Sequence, residues 1–206
     1  YTQLMVNYKG SALNLNVTLP MNFYGMDYKD VLRNKDTETS KTVFEPSLWA
    51  SYDFASFWKI WAFGNLGYDF GSFGSVYDGF VLTNPRALGN RNSTLLPENR
   101  TLNATSRLEY RNPLNNLFFN IRYTYADFNK NIISATKRFE SGAATTSLVY
   151  EDNNSYSQSE GAEIGKYFPK FKTNASVTFT NRDSNSFSRL IDKNDVSNLI
   201  ENKNNT

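Results

Sequence analysis

The sequence has no cysteine and no histidine in 206 residues. Without cysteine there is no disulfide, no thiolate nucleophile and no thiolate metal site. Without histidine the commonest general base and the commonest metal ligand are missing. Most familiar hydrolase constellations therefore cannot be assembled, and covalent chemistry would be confined to Asp, Glu, Ser or Lys. Nor is there an apolar run of the roughly 18 residues that a membrane-spanning helix needs. The mean hydropathy of −0.56 does not exclude a membrane protein built of strands, in which half the residues face water. Surplus charge is scarce too: 22 Lys and Arg against 20 Asp and Glu leave +2, dispersed along the chain. A nucleic-acid partner calls for a basic stripe, so none is expected.

The first residues, YTQLMVNYKG, lack the basic start, apolar core and small-residue cleavage site of a signal peptide. They read as the middle of a strand, and the closing ENKNNT is a polar tract. On these grounds the chain is expected to be a piece of something longer.

What is present is aromatic and alternating. Phe, Trp and Tyr make up 16% of the chain, and helical periodicity is nearly absent. Leu13, Leu15, Val17, Leu19, Met21 and Phe23 alternate with Asn14, Asn16, Thr18 and Asn22. Leu48, Ala50, Tyr52 and Phe54 are followed, after a short turn, by Trp58, Ile60, Ala62, Leu66, Tyr68 and Phe70. Leu102, Ala104, Leu108 and Tyr110 face away from Asn103, Thr105, Arg107, Glu109 and Arg111. Past Asn112–Asn116, Leu117, Phe119, Ile121, Tyr123 and Tyr125 oppose Asn120, Arg122 and Thr124. A last hairpin has a weak first arm (Leu148, Tyr150, Tyr156, Ala162, Ile164) and a clean second arm. In that second arm Phe171, Thr173, Ala175, Val177 and Phe179 oppose Lys172, Asn174, Ser176, Thr178 and Arg182.

The connections alternate as well. Short turns are predicted near Lys9–Ser11, Phe54–Phe57, Asn112–Asn116 and Lys166–Lys170, and long polar loops at Asp27–Glu45, Gly71–Arg100, Asn129–Thr145 and from Ser188 onward. This rhythm describes an up-and-down meander with its tight turns at one rim, the plan of a transmembrane antiparallel β-barrel. The expectation is an all-β fold with about eight strands. A one-residue slip of the Leu102–Arg111 strand would turn Arg107, Glu109 and Arg111 toward lipid, and an Arg at the bilayer midplane costs roughly 2 to 4 kcal/mol. Tyr24, Trp49, Tyr52, Trp58, Tyr68, Tyr110, Phe118, Tyr125 and Phe128 are expected to form interfacial girdles. The competing fold is a soluble β-sandwich, whose strands usually run about five to seven residues, shorter than several of these.

EPSLWASYDF, LGYDFGSFGSVYDGFVLTNPRALGN, LEYRNPLNNLFFNIRYTYADFNKN and GKYFPKFKTNASVTF together resemble the barrel of TonB-dependent outer-membrane receptors, in the branch related to starch-utilisation-type transporters. The strand, Asn-Pro-Leu turn and Leu-Phe-Phe-Asn strand at Leu108–Asn120 carry the resemblance furthest, and it covers about Glu45 to Asn185. It implies a barrel of about 22 strands around a plug domain, energised by TonB, taking up a nutrient solute such as a glycan, peptide or metal chelate across the bacterial outer membrane. Residues 1–206 would form about a third of that barrel domain, with no plug of their own. The implied partners are outer-membrane lipid, the plug domain, TonB and a surface lipoprotein. Neither enzyme activity nor a cofactor is expected. The alternatives are a non-transporting barrel in an adhesion or secretion complex, and a soluble module binding glycans through Trp49 and Trp58.

Arg107, Glu109, Arg111, Arg122, Lys172 and Arg182 are the lumen-facing candidates, set either to touch a plug or solute or to pair with one another along the wall. Gly71, Gly74 and Gly79 form neither GxGxxG nor a P-loop and read as loop glycines. Asp36, Glu38, Glu151 and Asp152 match no EF-hand spacing and read as solvated charge. The sequons at Asn16, Asn92, Asn99, Asn103, Asn153, Asn174 and Asn204 read as chance, three of them inside strands. LIDKNDVSNLIEN (Leu190–Asn202) has some helical periodicity and is taken as part of an outer loop.

Overall fold

The computed structural model describes residues 1–31, 34–71, 79–84, 87–91, 96–192 and 196–206. Their strands are β1 (Thr2–Lys9), β2 (Leu13–Asp30), β3 (Lys35–Phe44), β4 (Ser47–Phe54), β5 (Trp58–Asp69), β6 (Gly79–Asn84), β7 (Ala87–Arg91), β8 (Asn99–Asn112), β9 (Leu117–Arg138), β10 (Ala144–Phe168), β11 (Thr173–Ile191) and β12 (Ser197–Asn205). All belong to one sheet, and no α-helix occurs among the described residues. The main ladder runs β1, β2, β4, β5, β8, β9, β10, β11 in antiparallel steps. The sheet is not closed: β1 pairs only with β2 and β12 only with β11, so among the described residues the expected barrel is an open meander.

The tight turns lie at one rim, as the spacing predicts, and neighbouring hairpins are tied together there. Asp53 N–H donates to Ala12 O at 2.9 Å, Arg111 N–H to Phe57 O at 2.9 Å and Tyr167 N–H to Asn116 O at 3.0 Å. In Asn112–Asn116 the chemistry of the turn is local. Leu114 N–H reaches Asn112 Oδ1 at 2.9 Å, Leu117 N–H reaches Asn115 Oδ1 at 3.1 Å, and Asn116 takes the left-handed φ of 56° that Asn tolerates best after Gly.

At the opposite end the structure departs from the predicted long loops. Asp27–Glu45 is largely strand, with β2 running on to pair with β3 from Met21↔Phe44 to Asp30↔Lys35. Asn129–Thr145 is the upper part of β9, a turn and the start of β10. From Ser188 the described residues are the end of β11 and then β12, paired from Ile191↔Ser197 to Asp183↔Asn205, so Leu190, Ile191 and Ser197–Asn202 are strand, while Lys193, Asn194 and Asp195 lie outside the described residues. Among the described residues there are therefore twelve strands rather than about eight.

β3 and β4 flank the same side of β2, one above the other, and Glu45-Pro46 separates them. Pro46 has no N–H, and β3 does not continue the pairing of β4 with β5. The Glu45 carboxylate fills the gap: it accepts from the Tyr68 backbone N–H at 2.7 Å, from Tyr24 Oη at 3.1 Å and from Asn22 Nδ2. An otherwise orphaned strand donor is thereby satisfied.

Directly opposed residues of an antiparallel ladder share a face. One such row is Phe54, Trp58, Tyr110, Phe119, Ile164, Val177; the next is Leu13, Tyr52, Ile60, Leu108, Ile121, Ala162, Phe179. Among the described residues this apolar face has no second layer on it. Val177 is 71% exposed, Phe179 63%, Ile164 51% and Ile121 44%, while Phe119 is half-buried. A β-sandwich core is thus absent from the sheet. The accessible surface is 13,887 Å² for 23.6 kDa, whereas a compact protein of this mass exposes about 9,800 Å².

The upper edge of the apolar band is oblique to the ladder. On β10 and β11 it stops at Ala162 and Phe179, with Glu160 and Asn181 one row above. On β9 it reaches Tyr125, on β8 Leu102, on β5 Tyr68, and on β2 Phe23, one row above the Met21 that pairs with Thr2 of β1. From β11 to β2 it climbs five two-residue rows over six strand steps, roughly 33 Å along the strands against roughly 29 Å across them. The band thus lies at roughly 45° to the strands, which is the tilt of strands in a membrane barrel.

Candidate functional site

The opposite face is polar, and the lumen-facing candidates sort onto it with one exception. Arg107, Glu109 and Arg111 of β8, Arg122 of β9 and Arg182 of β11 share it with Asn103, Thr105 and Thr124, following the alternation. Lys172 does not belong to the wall: it sits in the turn between β10 and β11 at φ 50°, and Phe171 beside it is 77% exposed. A three-residue 3-10 turn at Pro169–Phe171 delays the start of β11 to Thr173, which moves both residues to the rim.

Four predicted girdle aromatics also change sides. Tyr24 is in step with Asn14, Asn16 and Asn22 of β2 and pairs with Lys41. Trp49 pairs across the ladder with Asn16 and Phe63, Phe118 with Arg111 and Gly165, and Phe128 with Thr101 and Ser155, all of polar-face parity. Alternation assigns each residue a face only relative to its neighbours, and an aromatic on the polar face is invisible to a search for aromatics. The apolar face nevertheless has a band of rings near the tight-turn rim. Tyr52 and Phe54 stack at 6.1 Å, Phe54 and Trp58 at 6.2 Å, and Trp58 and Tyr110 lie 4.8 Å apart. Trp49 and Trp58 stand on opposite faces and form no common platform for a sugar.

On the polar face the charges divide into two groups. Near the tight turns cations lie beside carboxylates: Arg107 Nε lies 3.0 Å from Glu109 Oε1, which accepts from Trp61 Nε1 at 3.2 Å. Lys59 Nζ lies 3.8 Å from Asp53 Oδ1, and Glu109, Arg111, Lys59 and Asp53 line a cavity of about 310 Å³ beside the Ala55–Phe57 turn. Toward the other side of the sheet Asn120 Nδ2 donates to Glu163 Oε2 at 2.8 Å. Arg122 and Arg182 differ: neither guanidinium has an ion-pair or hydrogen-bond partner among the described residues. They line a cavity of about 400 Å³ with Thr124, Ser157, Ser159, Gly161 and Thr180.

Beyond the apolar band the long strands build a separate lobe. β10 carries a bulge between Tyr150 and Asn153, and Asn153 Nδ2 bonds the carbonyls of Lys130, Ile132 and Glu151 at 3.1 to 3.3 Å. Past the bulge Ala135–Lys137 of β9 pairs in parallel with Arg189–Ile191 of β11, and Ala144–Ser147 of β10 in parallel with β7. Ile133 and Ala135 are 2% and 0% exposed. Arg189 grips Glu151 with both arms of its fork, Nη2 to Oε1 at 2.7 Å, and this bond holds the Glu151 carboxyl below its ordinary value and the guanidinium above its own.

The remaining candidates are accounted for individually. Asp36 lies 3.9 Å from Lys29, and no cluster of three acidic side chains able to hold a metal occurs among the described residues. Asn16, Asn99, Asn103, Asn153, Asn174 and Asn204 all fall in strands, whereas Gly74 and Asn92 lie outside the described residues. Comparisons of the chain with protein-family models, with characterised proteins and with solved structures give no match.

Proposed function

We propose that this chain is a stretch of wall from a β-barrel of the bacterial outer membrane, of the TonB-dependent receptor kind. Its apolar face is solvated by lipid and its polar face lines a lumen through which a nutrient solute (glycan, peptide or metal chelate) is taken up. The observation that carries this reading is the uncovered apolar band set at roughly 45° to its strands. A soluble sheet leaving Val177, Phe179, Ile164 and Ile121 in water would forfeit about 25 cal/mol for every Å² of apolar surface left uncovered. The aromatic row at the tight-turn rim supports the same reading, since rings with polar edges favour the membrane interface. In this reading the open edges of β1 and β12 continue into further strands, a plug fills the lumen, TonB supplies energy and a surface lipoprotein abuts the outer lobe. No covalent chemistry is involved.

The tryptophans provide the test. Trp58 is on the apolar face, and Trp49 and Trp61 are on the polar face. In single-tryptophan versions reconstituted with lipids brominated near the headgroup, Trp58 fluorescence is expected to be quenched and Trp61 fluorescence to be spared. Equal quenching of both, or a chain that stays monomeric in water without detergent, would sink the membrane reading. Transport is tested separately, by asking whether the gene encodes a plug and a TonB-contacting segment in the same polypeptide.

A further inference from the structure

The unpaired arginines and the strand between them point to a ligand. Arg122 is opposite Gly161, which is opposite Thr180; Thr124 is opposite Ser159, which is opposite Arg182. The two arginines therefore stand on alternate strands, two residues out of step, with Cα atoms about 12 Å apart by strand spacing and rise. Both side chains rise from the same face over a floor of Ser157, Ser159 and Gly161, and the space between them is the cavity of about 400 Å³.

Two glycines of β10 show what that space means. Gly165 also faces the polar side, but a Cβ built on it would fall 2.2 Å from the Phe118 ring, so its missing side chain is replaced by Phe118. At Gly161 the nearest atom to such a Cβ is Phe179 O at 3.6 Å, in ordinary contact, and no side chain fills the gap. The ladder is in continuous register through Gly161, so no bulge requires it. A glycine inside a regular strand weakens that strand, and the usual reason to keep one is a bulge, a bend or the close approach of something else.

We infer that Arg122 and Arg182 form an oxyanion clamp on the polar face, closing on a carboxylate or phosphate group of a solute that settles against Gly161. A guanidinium presents a planar fork of donors that fits two oxygens of such a group at once. The hydroxyls of Ser157, Ser159, Thr124 and Thr180 offer the neutral donors that position it. Elsewhere on this face Arg107, directly opposite Arg122, is neutralised by Glu109, and Arg111 shares its cavity with the carboxylates of Glu109 and Asp53; no carboxylate lines the cavity between Arg122 and Arg182, so an incoming anion meets uncompensated positive charge there. The inference concerns the polar face alone and holds whatever solvent covers the other.

The test is calorimetric titration of the detergent-solubilised chain with inorganic phosphate, with citrate and with a neutral sugar as control. Phosphate and citrate are expected to bind in the millimolar range or tighter, with a salt dependence, and the sugar is not expected to bind here. Arg122→Gln and Arg182→Gln, both at exposed positions, should each weaken binding by about tenfold or more, and Arg182→Lys should restore it only in part. Lys9→Gln, on β1 at the far edge of the sheet, should leave it unchanged. Gly161→Val should abolish binding with far-UV circular dichroism intact; if that variant fails to fold, the arginine variants decide. Absence of binding of both anions, or binding that survives loss of both arginines, overturns the clamp. Trp58 quenching is unaffected by either result, so this proposal and the membrane reading fail separately.

Discussion

The lower sheet and the lobe above it are made of the same strands, but they solve the problem of apolar surface in opposite ways. In the lobe, β9 is flanked by β10 and β11 beyond the bulge, and Ile133 and Ala135 are buried by the chain itself. In the sheet, Ile121 of the same β9 is 44% exposed and nothing among the described residues covers it. Burial is therefore internal at one end of a strand and delegated to the surroundings twelve residues earlier. The lobe should be indifferent to solvent, whereas the sheet should need one particular solvent.

That difference can be broken at either end. The largest effect is expected at Ile133→Ala, which should open a cavity costing about 2 to 5 kcal/mol whether the chain is in detergent or lipid, read by chemical denaturation in both. Ile121→Arg, at the centre of the apolar stretch of β9, should cost about 2 to 4 kcal/mol in bilayers and almost nothing in a solvent-exposed sheet; equal stability in bilayers would remove the contrast. Gly165→Val should cost about 1 to 3 kcal/mol through its clash with Phe118, and Phe118→Ala in the same chain should recover most of it.

The smallest effect concerns pH. Glu151 has a folded-state pKa below its ordinary value, so its bond to Arg189 contributes stability above about pH 4.3, and that contribution is lost as pH falls through the folded pKa. Hydrogen exchange of β9 and β10 beyond the bulge should quicken below about pH 4 while exchange in Leu102–Tyr110 stays flat. Glu151→Gln should abolish the pH dependence, and a matching change in both regions would mean that the lobe has no independent stability.

Comparison of particular strands shows why some of this was legible beforehand. Leu13–Phe23, Leu102–Tyr110 and Leu117–Tyr125 each set apolar against polar at every second position, and a one-residue slip would invert the whole set, so face and register follow from the residues alone. The turn at Asn112–Asn116 was equally plain, because Asn and Pro act on their own backbone. The upper part of β9 and all of β12 set their large apolar residues in adjacent pairs, Ile132-Ile133 and Leu199-Ile200, one on each face, and carry no clean alternation, so they read as loops. Their extended form comes from cross-strand hydrogen bonds in the β9–β10 and β11–β12 hairpins and, at Ala135–Lys137, to β11 as well. Lys172 was misplaced because a 3-10 turn occupies the residues that alternation would have given to the strand. Five of the six wall candidates share a face; Arg107 is paired by Glu109 two residues along its own strand, whereas what surrounds Arg122 and Arg182 depends on side chains brought together from three strands.

The sequence by itself determined that the chain is all-β, which side of each alternating strand is apolar, and that the tight turns share one rim, because these rest on local stereochemistry and a two-residue period. Tertiary structure alone decided that the sheet stays open, that its apolar band runs obliquely across the strands, and that two arginines flank an unfilled glycine. Each of these depends on how one strand is staggered against the next. That stagger is set by ladder hydrogen bonds between strands, and no single strand encodes it.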